Sequence, residues 1–239
     1  MIMSPAHPFD ELVRRPETDI RLAEAALLLA LDAYPALDVG AYLGRFRSLA
    51  DRVTAASATD SPKDRIEAMR VVLVEEEELR GNADKYYDPR NSYLNEVLDR
   101  KLGIPISLSV VWLDVARQLD WPMVGVGLPG HFIIGYTGAD DEVLVDPFNG
   151  GCIVSRNDCA EIVTKLYGEP VLLTAEHFRP AGTKEILSRM LRNLFNIHTR
   201  GEAWSRAFDV VSRMLALHPD SEDIQSMRGR IVRELARLN

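Results

Sequence analysis

Apolar positions recur every three to four residues along most of the first eighty residues, the spacing of helices that bury one face. "DIRLAEAALLLALDAYP" is apolar nearly all round and predicts a buried helix. "DVGAYLGRFRSLADRVTAA" sets Val39, Tyr42, Leu43, Phe46, Leu49 and Val53 along one stripe. "SATDSPKD" is a loop able to cap the next helix, "DRIEAMRVVLVEEEELR". Its four carboxylates, Glu75 to Glu78, point around a whole turn. They read as a solvated helix face; a metal cluster needs carboxylates converging from separate elements.

The pattern changes at residue 81. In "GNADKYYDPRNSYLNEVLDR", Asp88-Pro89 breaks the chain, and Asn91 or Ser92 is placed to cap a helix carrying Tyr93, Leu94, Val97 and Leu98. A second helix is predicted from about Ile106 to Leu119, with Leu108, Val111, Trp112, Val115 and Leu119 on its apolar face and Trp121-Pro122 as its stop. Short β-like runs follow: "MVGVGL" and "HFIIGY" around a Pro129-Gly130 turn, "EVLVDPF" after the turn "TGADD", then "NGGCIVS". Residues 155–168 return to helical spacing. Helices followed by a small antiparallel sheet make an α+β pattern. The expected organisation is a helical lead-in over residues 1–80, a core over 81–180, and a helical tail over 181–239.

The tail carries its own periodicity. Leu194 precedes Ala207 by thirteen residues, Pro219 follows Ala207 by twelve, and Gly229 lies 34 residues after Phe195. These offsets resemble a degenerate tetratricopeptide unit and part of a second. Leu191 and His198 stand at the usual Trp and Tyr positions, so an ordinary helical hairpin is the competing reading. Fewer than three repeats need support from a neighbouring core.

Composition narrows the function. The chain has 239 residues, 46% apolar and 27% charged, and a net charge of −8. That suits a soluble globular protein and disfavours phosphate backbones and anionic lipid as partners. Two cysteines, Cys152 and Cys159, make no disulfide framework. No apolar run is long enough for a membrane span. The opening "MIMSPAHPFDELVRR" lacks a basic segment followed by an apolar one, so a cytoplasmic location is expected.

The candidate chemistry centres on His131 and Asp146. His131 follows Pro-Gly at the predicted start of one strand, and Asp146 ends the next, fifteen residues on. On adjacent antiparallel strands the two can meet. A carboxylate that fixes the imidazole tautomer is half of a catalytic triad. The other half is a nucleophile at a helix start, where the dipole lowers a thiol's pKa. Ser109 and Ser107 lie in the first turns of the helix that begins near Ile106, where a backbone hydrogen bond is the ordinary role of a serine. Cys152 and Cys159 fall outside that helix start and read as inert thiols. His7, His177, His198 and His218 are isolated, so neither a metal nor a cofactor is expected. The polar string that includes Tyr87, Asn91 and Asn95 is a candidate cleft wall for a peptide; the favoured reading is a capped loop whose Asp88, Arg90 and Asn91 bond backbone groups locally.

The stretch "YYDPRNSYLNEVLDRKLGIPISLSVVWLDVARQLDWPMVGVGLPGHFIIGY", followed by "VLVDPFNGG", resembles the SirB-type proteins of the transglutaminase-like superfamily. The resemblance implies a papain-like core: a helix bearing a cysteine at its start, then strands bearing His and Asp. It sets His131 and Asp146 at those two positions. It also sets Gly103-Ile104-Pro105 at the Gly-x-Cys place, with Trp121-Pro122 matching a downstream Ile-Pro. Pro105 therefore stands where the cysteine is expected. Two functions follow. One is a scaffold that binds a peptide or protein partner without thiol chemistry, since nothing at position 105 can form the covalent intermediate. The other is a hydrolase or amide-transfer enzyme in which the His131–Asp146 pair serves another nucleophile or an activated water.

Overall fold

The computed structural model describes residues 7–138 and 142–238. The first six residues and part of the "TGADD" turn lie outside the described residues. Four helices lead in: α1 (Pro8–Leu12), α2 (Leu22–Ala30), α3 (Val39–Ala56) and α4 (Pro62–Arg70). Asp38 caps α3 by accepting from the Ala41 amide at 3.0 Å, and Ser61 caps α4 by accepting from Asp64 at 3.1 Å. Past α4 the backbone widens into a π-type turn over Val71–Glu76. The Glu75–Glu78 run is solvent-facing as expected, with Glu75, Glu76 and Glu78 exposed, and it carries surface ion pairs. Glu75 pairs with Arg70 at 2.8 Å, Glu76 with Arg52 at 2.7 Å, and Glu77 with both Arg52 and Lys101. Glu78 adopts φ 58° and ends the helix.

A short parallel pair, β1 (Arg80–Gly81) and β2 (Leu102–Gly103), brackets a turn at Pro89–Asn91 and α5 (Leu94–Arg100). Neither Asn91 nor Ser92 caps α5. Its N-cap is Tyr93, and Asp88 instead caps the preceding turn by accepting from Arg90. Helix α6 (Pro105–Gln118) follows at once and is buried from Pro105 through Ala116. Proline suits its first position, where an N–H would have no partner.

Strands β3 (Met123–Val126), β4 (Ile133–Tyr136), β5 (Val143–Asp146), β6 (Cys152–Val154) and β7 (Pro180–Ala181) form an antiparallel sheet in the order β6-β5-β4-β3-β7. The sheet is covered on both faces, as its alternation dictates. Ile134 and Val145 join the main core with Trp112 of α6, while Ile133 and Leu144 join a smaller cluster with Cys159 and Val163 of α7 (Arg156–Tyr167).

The tail is three consecutive helices, α8 (Thr183–Arg200), α9 (Trp204–Leu217) and α10 (Glu222–Arg237). Leu187, Leu191 and Leu194 of α8 and Val211 of α9 are continuous with the main core that holds Phe9, Leu27, Phe46 and Trp112. Arg213 of α9 adds ion pairs to Asp10 at 2.5 Å and Asp32 at 3.0 Å. The tail is thus packed on the lead-in helices, and this docking sets α8 across the start of α6. Among the described residues, no helix is long and apolar enough to cross a membrane.

Candidate functional site

His131 and Asp146 meet, by a route slightly different from the expected one. The β4–β5 register pairs Ile134 with Val145, which brings Asp146 beside the start of β4. His131 lies two residues before that strand, in the turn after Gly130, whose φ is +68°. Its side chain reaches back so that Nε2 lies 2.7 Å from Asp146 Oδ2. Asp146 is fully buried and its acceptor positions are filled. Oδ1 accepts from the Phe148 and Asn149 amides at 3.0 and 3.2 Å, and Oδ2 accepts from Asn149 Nδ2 at 2.7 Å. Burial alone would push the Asp146 carboxyl up. The hydrogen bond and charge of His131, with the Asn149 bonds, outweigh it and hold the carboxyl below the usual range. The Asp146 carboxylate at Nε2 fixes the orientation of the imidazole. Nδ1 has no hydrogen-bond partner among the described residues.

The "DPFNGG" run wraps this pair. Phe148 sets its ring edge-on to His131, with centroids 6.1 Å apart, and edge-on to Tyr86 at 6.3 Å. Gly81 leaves the room: a Cβ there would lie 2.6 Å from the Phe148 ring. Gly151 closes the turn at φ +69°, with its amide donating to the Asp146 carbonyl at 2.8 Å. From the opposite side Arg189 of α8 donates to the carbonyls of Leu128 and His131 at 2.7 and 2.9 Å and lies over the Phe132 ring. The histidine is therefore held at its side chain by Asp146 and at its backbone by α8.

His131 and Pro105 line one cleft of about 750 Å³, a size ordinary for a ligand site. Tyr86 and Tyr87 form one rim, Gly130 and Tyr167 another, and α8 supplies the facing wall. Among the described residues, no cysteine, serine or threonine lines it.

Of the sequence-predicted binding residues, only Tyr87 reaches the cleft, where it is 63% exposed. Asn91, Asn95 and Ser109 do not. Asn91 is fully buried: its Nδ2 donates to the Lys85 and Tyr86 carbonyls at 2.7 and 3.3 Å, and its Oδ1 accepts from Asn82 at 3.0 Å. It shapes the tyrosine-bearing loop from behind. Asn95 and Ser109 are buried away from the cleft, and neither Asn95 Oδ1 nor Ser109 Oγ has a hydrogen-bond partner among the described residues. Ser107 Oγ accepts from the Ile104 amide at 3.0 Å and donates to the Asn91 carbonyl at 2.6 Å, a bond that fixes the helix start. Cys152 pairs with Asp146 across β5 and β6, and burial, with that carboxylate beside it, pushes its thiol up. Burial pushes the Cys159 thiol up to about 12. Neither thiol is activated. Among the described residues, no cluster of three or more candidate ligands could hold a metal.

Sequence reading missed four contributors: Phe148, Asn149, Arg189 and the polar face of α8. The first two stand in the motif already singled out. The α8 residues carried a signal in their four-residue spacing, but its meaning depends on where the helix docks.

Comparison with known proteins places the chain. Residues 40–192 match the Transglut_core2 family, described as a transglutaminase-like superfamily. A UPF0162 protein of Xylella fastidiosa (strain 9a5c) is 37% identical over 212 residues, covering 87% of this chain and 75% of the relative. UPF0162 protein PA3419 of Pseudomonas aeruginosa is 31% identical over 219 residues, 90% of this chain and 78% of its own length. Human F-box only protein 21 is 30% identical over 177 residues, which cover 70% of this chain and 27% of that protein. A crystal structure of menin, titled for its binding site for the Mixed Lineage Leukemia protein, matches with a TM-score of 0.43 and 12% identity, over 96% of this chain and 60% of that one; nothing is carried over from it. With a family match spanning the sheet, α6 and most of the cleft, and relatives alike over most of their length, the chain belongs to the transglutaminase-like superfamily and, within it, to the UPF0162 family.

Proposed function

We propose that this chain is a transglutaminase-like protein without thiol chemistry, a SirB-type scaffold that binds a peptide or protein segment in the cleft over Pro105 and His131. The observation that carries this reading is the cleft lining: Pro105, at the first position of α6, and His131 both line it, and no thiol or aliphatic hydroxyl accompanies them among the described residues. Covalent acyl transfer needs an attacking atom that forms an intermediate, and a proline ring has none. The three packed tail helices support the same reading, because tetratricopeptide-like helices present extended binding surfaces.

The second reading keeps chemistry. His131 lines the cleft and Asp146 stands at its Nε2, an arrangement that supports activation of water against an amide or ester. The experiment that separates the two is incubation of the purified protein with a mixed peptide and amine library, read by mass spectrometry beside a His131→Ala variant. The scaffold reading expects no His131-dependent turnover and a peptide retained by both forms. Turnover that disappears in the variant would replace it with the hydrolase reading.

A further inference from the structure

Helix α8 presents two polar ridges to the cleft, with residues four apart on each. Glu185, Arg189, Asn193 and Ile197 make one; Arg192, Asn196 and Arg200 make the other. The opposite face of the helix, with Ile186, Leu187, Met190, Leu191, Leu194 and Phe195, is in the core. The cleft lining thus holds three guanidiniums and a single carboxylate. That carboxylate, Glu185, is already paired with Arg179 at 2.9 Å. Arg189 spends its donors on backbone carbonyls. Arg192 and Arg200 have no carboxylate within ion-pair distance among the described residues. Arg200 is positioned over the Tyr87 ring, 5.1 Å from its centroid, which fixes its side chain at the rim. The chain has 36 acidic and 28 basic residues, whereas the cleft lining has three basic and one acidic.

We infer that the cleft takes an acidic peptide segment, its carboxylates held by Arg192 and Arg200 and its backbone amides by Asn193 and Asn196. This rests on the peptide-binding reading and names its ligand class. Arginine forks match carboxylate geometry, and carboxamides both donate to and accept from a peptide backbone. Nucleic acid fits less well: its dense phosphates would meet two free arginines and then the field of a protein with net charge −8.

The test uses the whole chain and fluorescein-labelled peptide pools matched in length, doped with Asp and Glu, with Asn and Gln, or with Lys, and a single-stranded oligonucleotide as a fourth probe. Fluorescence anisotropy is expected to favour the acidic pool and to lose that preference as salt rises and the Debye length shrinks. Arg192→Glu and Arg200→Glu should each weaken the acidic pool by about fivefold, the upper range for an exposed charge pair. Arg237→Glu, a charge reversal on α10 outside the cleft, should leave it unchanged. Equal or better binding of the neutral or lysine pool, or indifference to both cleft reversals, overturns the acidic assignment and leaves peptide binding standing. Preference for the oligonucleotide overturns it in favour of nucleic acid. Retention of no probe overturns both this inference and the scaffold reading.

Discussion

The two walls of the cleft are built on opposite terms. On the core wall the polar groups around Asp146 are committed within the fold. Asp146 accepts from His131, from Asn149 and from two backbone amides, and Phe148 fills the space that Gly81 leaves. On the α8 wall Arg192, Asn196 and Arg200 are exposed with no carboxylate partner among the described residues, while Arg189 hydrogen-bonds the helix to the core wall and Arg200 lies over the Tyr87 ring. The core wall keeps the geometry of a catalytic pair with nothing placed to attack. The α8 wall keeps donors that no internal contact uses. Where binding and chemistry share a cleft, the commitments of the side chains distinguish frame from ligand surface.

The core wall should break hardest. Asp146→Ala strands the buried His131 and Asn149 donors, and should cost about 3–5 kcal/mol in urea unfolding, the range for removing one member of a buried pair. A loss near that of an exposed carboxylate would show the pair to be loosely held. The pH dependence follows from the same carboxyl. Its folded pKa lies below its unfolded one, so its stabilisation is fully present above the unfolded value of about 3.9 and is lost as pH falls through the folded value. Wild-type unfolding midpoints should therefore drop through this acid window, and Asp146→Asn should show a shallower drop.

The tie between the walls should rank next. Arg189→Met leaves the Leu128 and His131 carbonyls without their donor and should cost about 1–3 kcal/mol, while loosening the His131 turn in amide exchange. Gly151→Ala should fall in the same range of about 1–3 kcal/mol, because its φ is +69° and a Cβ would lie 2.7 Å from Trp112. At the small end, Cys152→Ser should shift stability by no more than about 0.5 kcal/mol and leave peptide binding unchanged, since this exposed thiol is pushed up and lies outside the cleft. A binding or turnover defect in that variant would place chemistry where the geometry puts none.

Much of the core wall was legible in the sequence. The Pro129-Gly130 turn before His131 and the run after Asp146 mark a strand start and a strand end, and alternation places the strands between them. Of the two readings of the polar string before α6, the locally capped loop holds for Asp88, Arg90 and Asn91, and residue type alone did not report that Asn91 is buried. Asn91 looks like a surface cap, yet its partners are carbonyls five and six residues back, and only the folded loop brings them round it. Strand β7 was invisible because two residues, Pro180–Ala181, carry no alternation, and pairing with Val126 and Gly125 alone makes them a strand. The α8 ridges could be counted in the sequence. Their role as a cleft wall comes from Arg213 and the leucines of α8, which dock the helix across Pro105.

On the proposed reading, the His131–Asp146 pair lacks only an attacking atom at position 105. The most direct test is Pro105→Cys, with the rate of iodoacetamide alkylation followed against pH and the modified site mapped by mass spectrometry. A cysteine beside His131 at the first position of α6 is predicted to react well below the ordinary thiol pKa of about 8.5, and to lose that advantage when His131→Ala is added. A thiol at 105 that titrates as an ordinary cysteine in both backgrounds would contradict the claim.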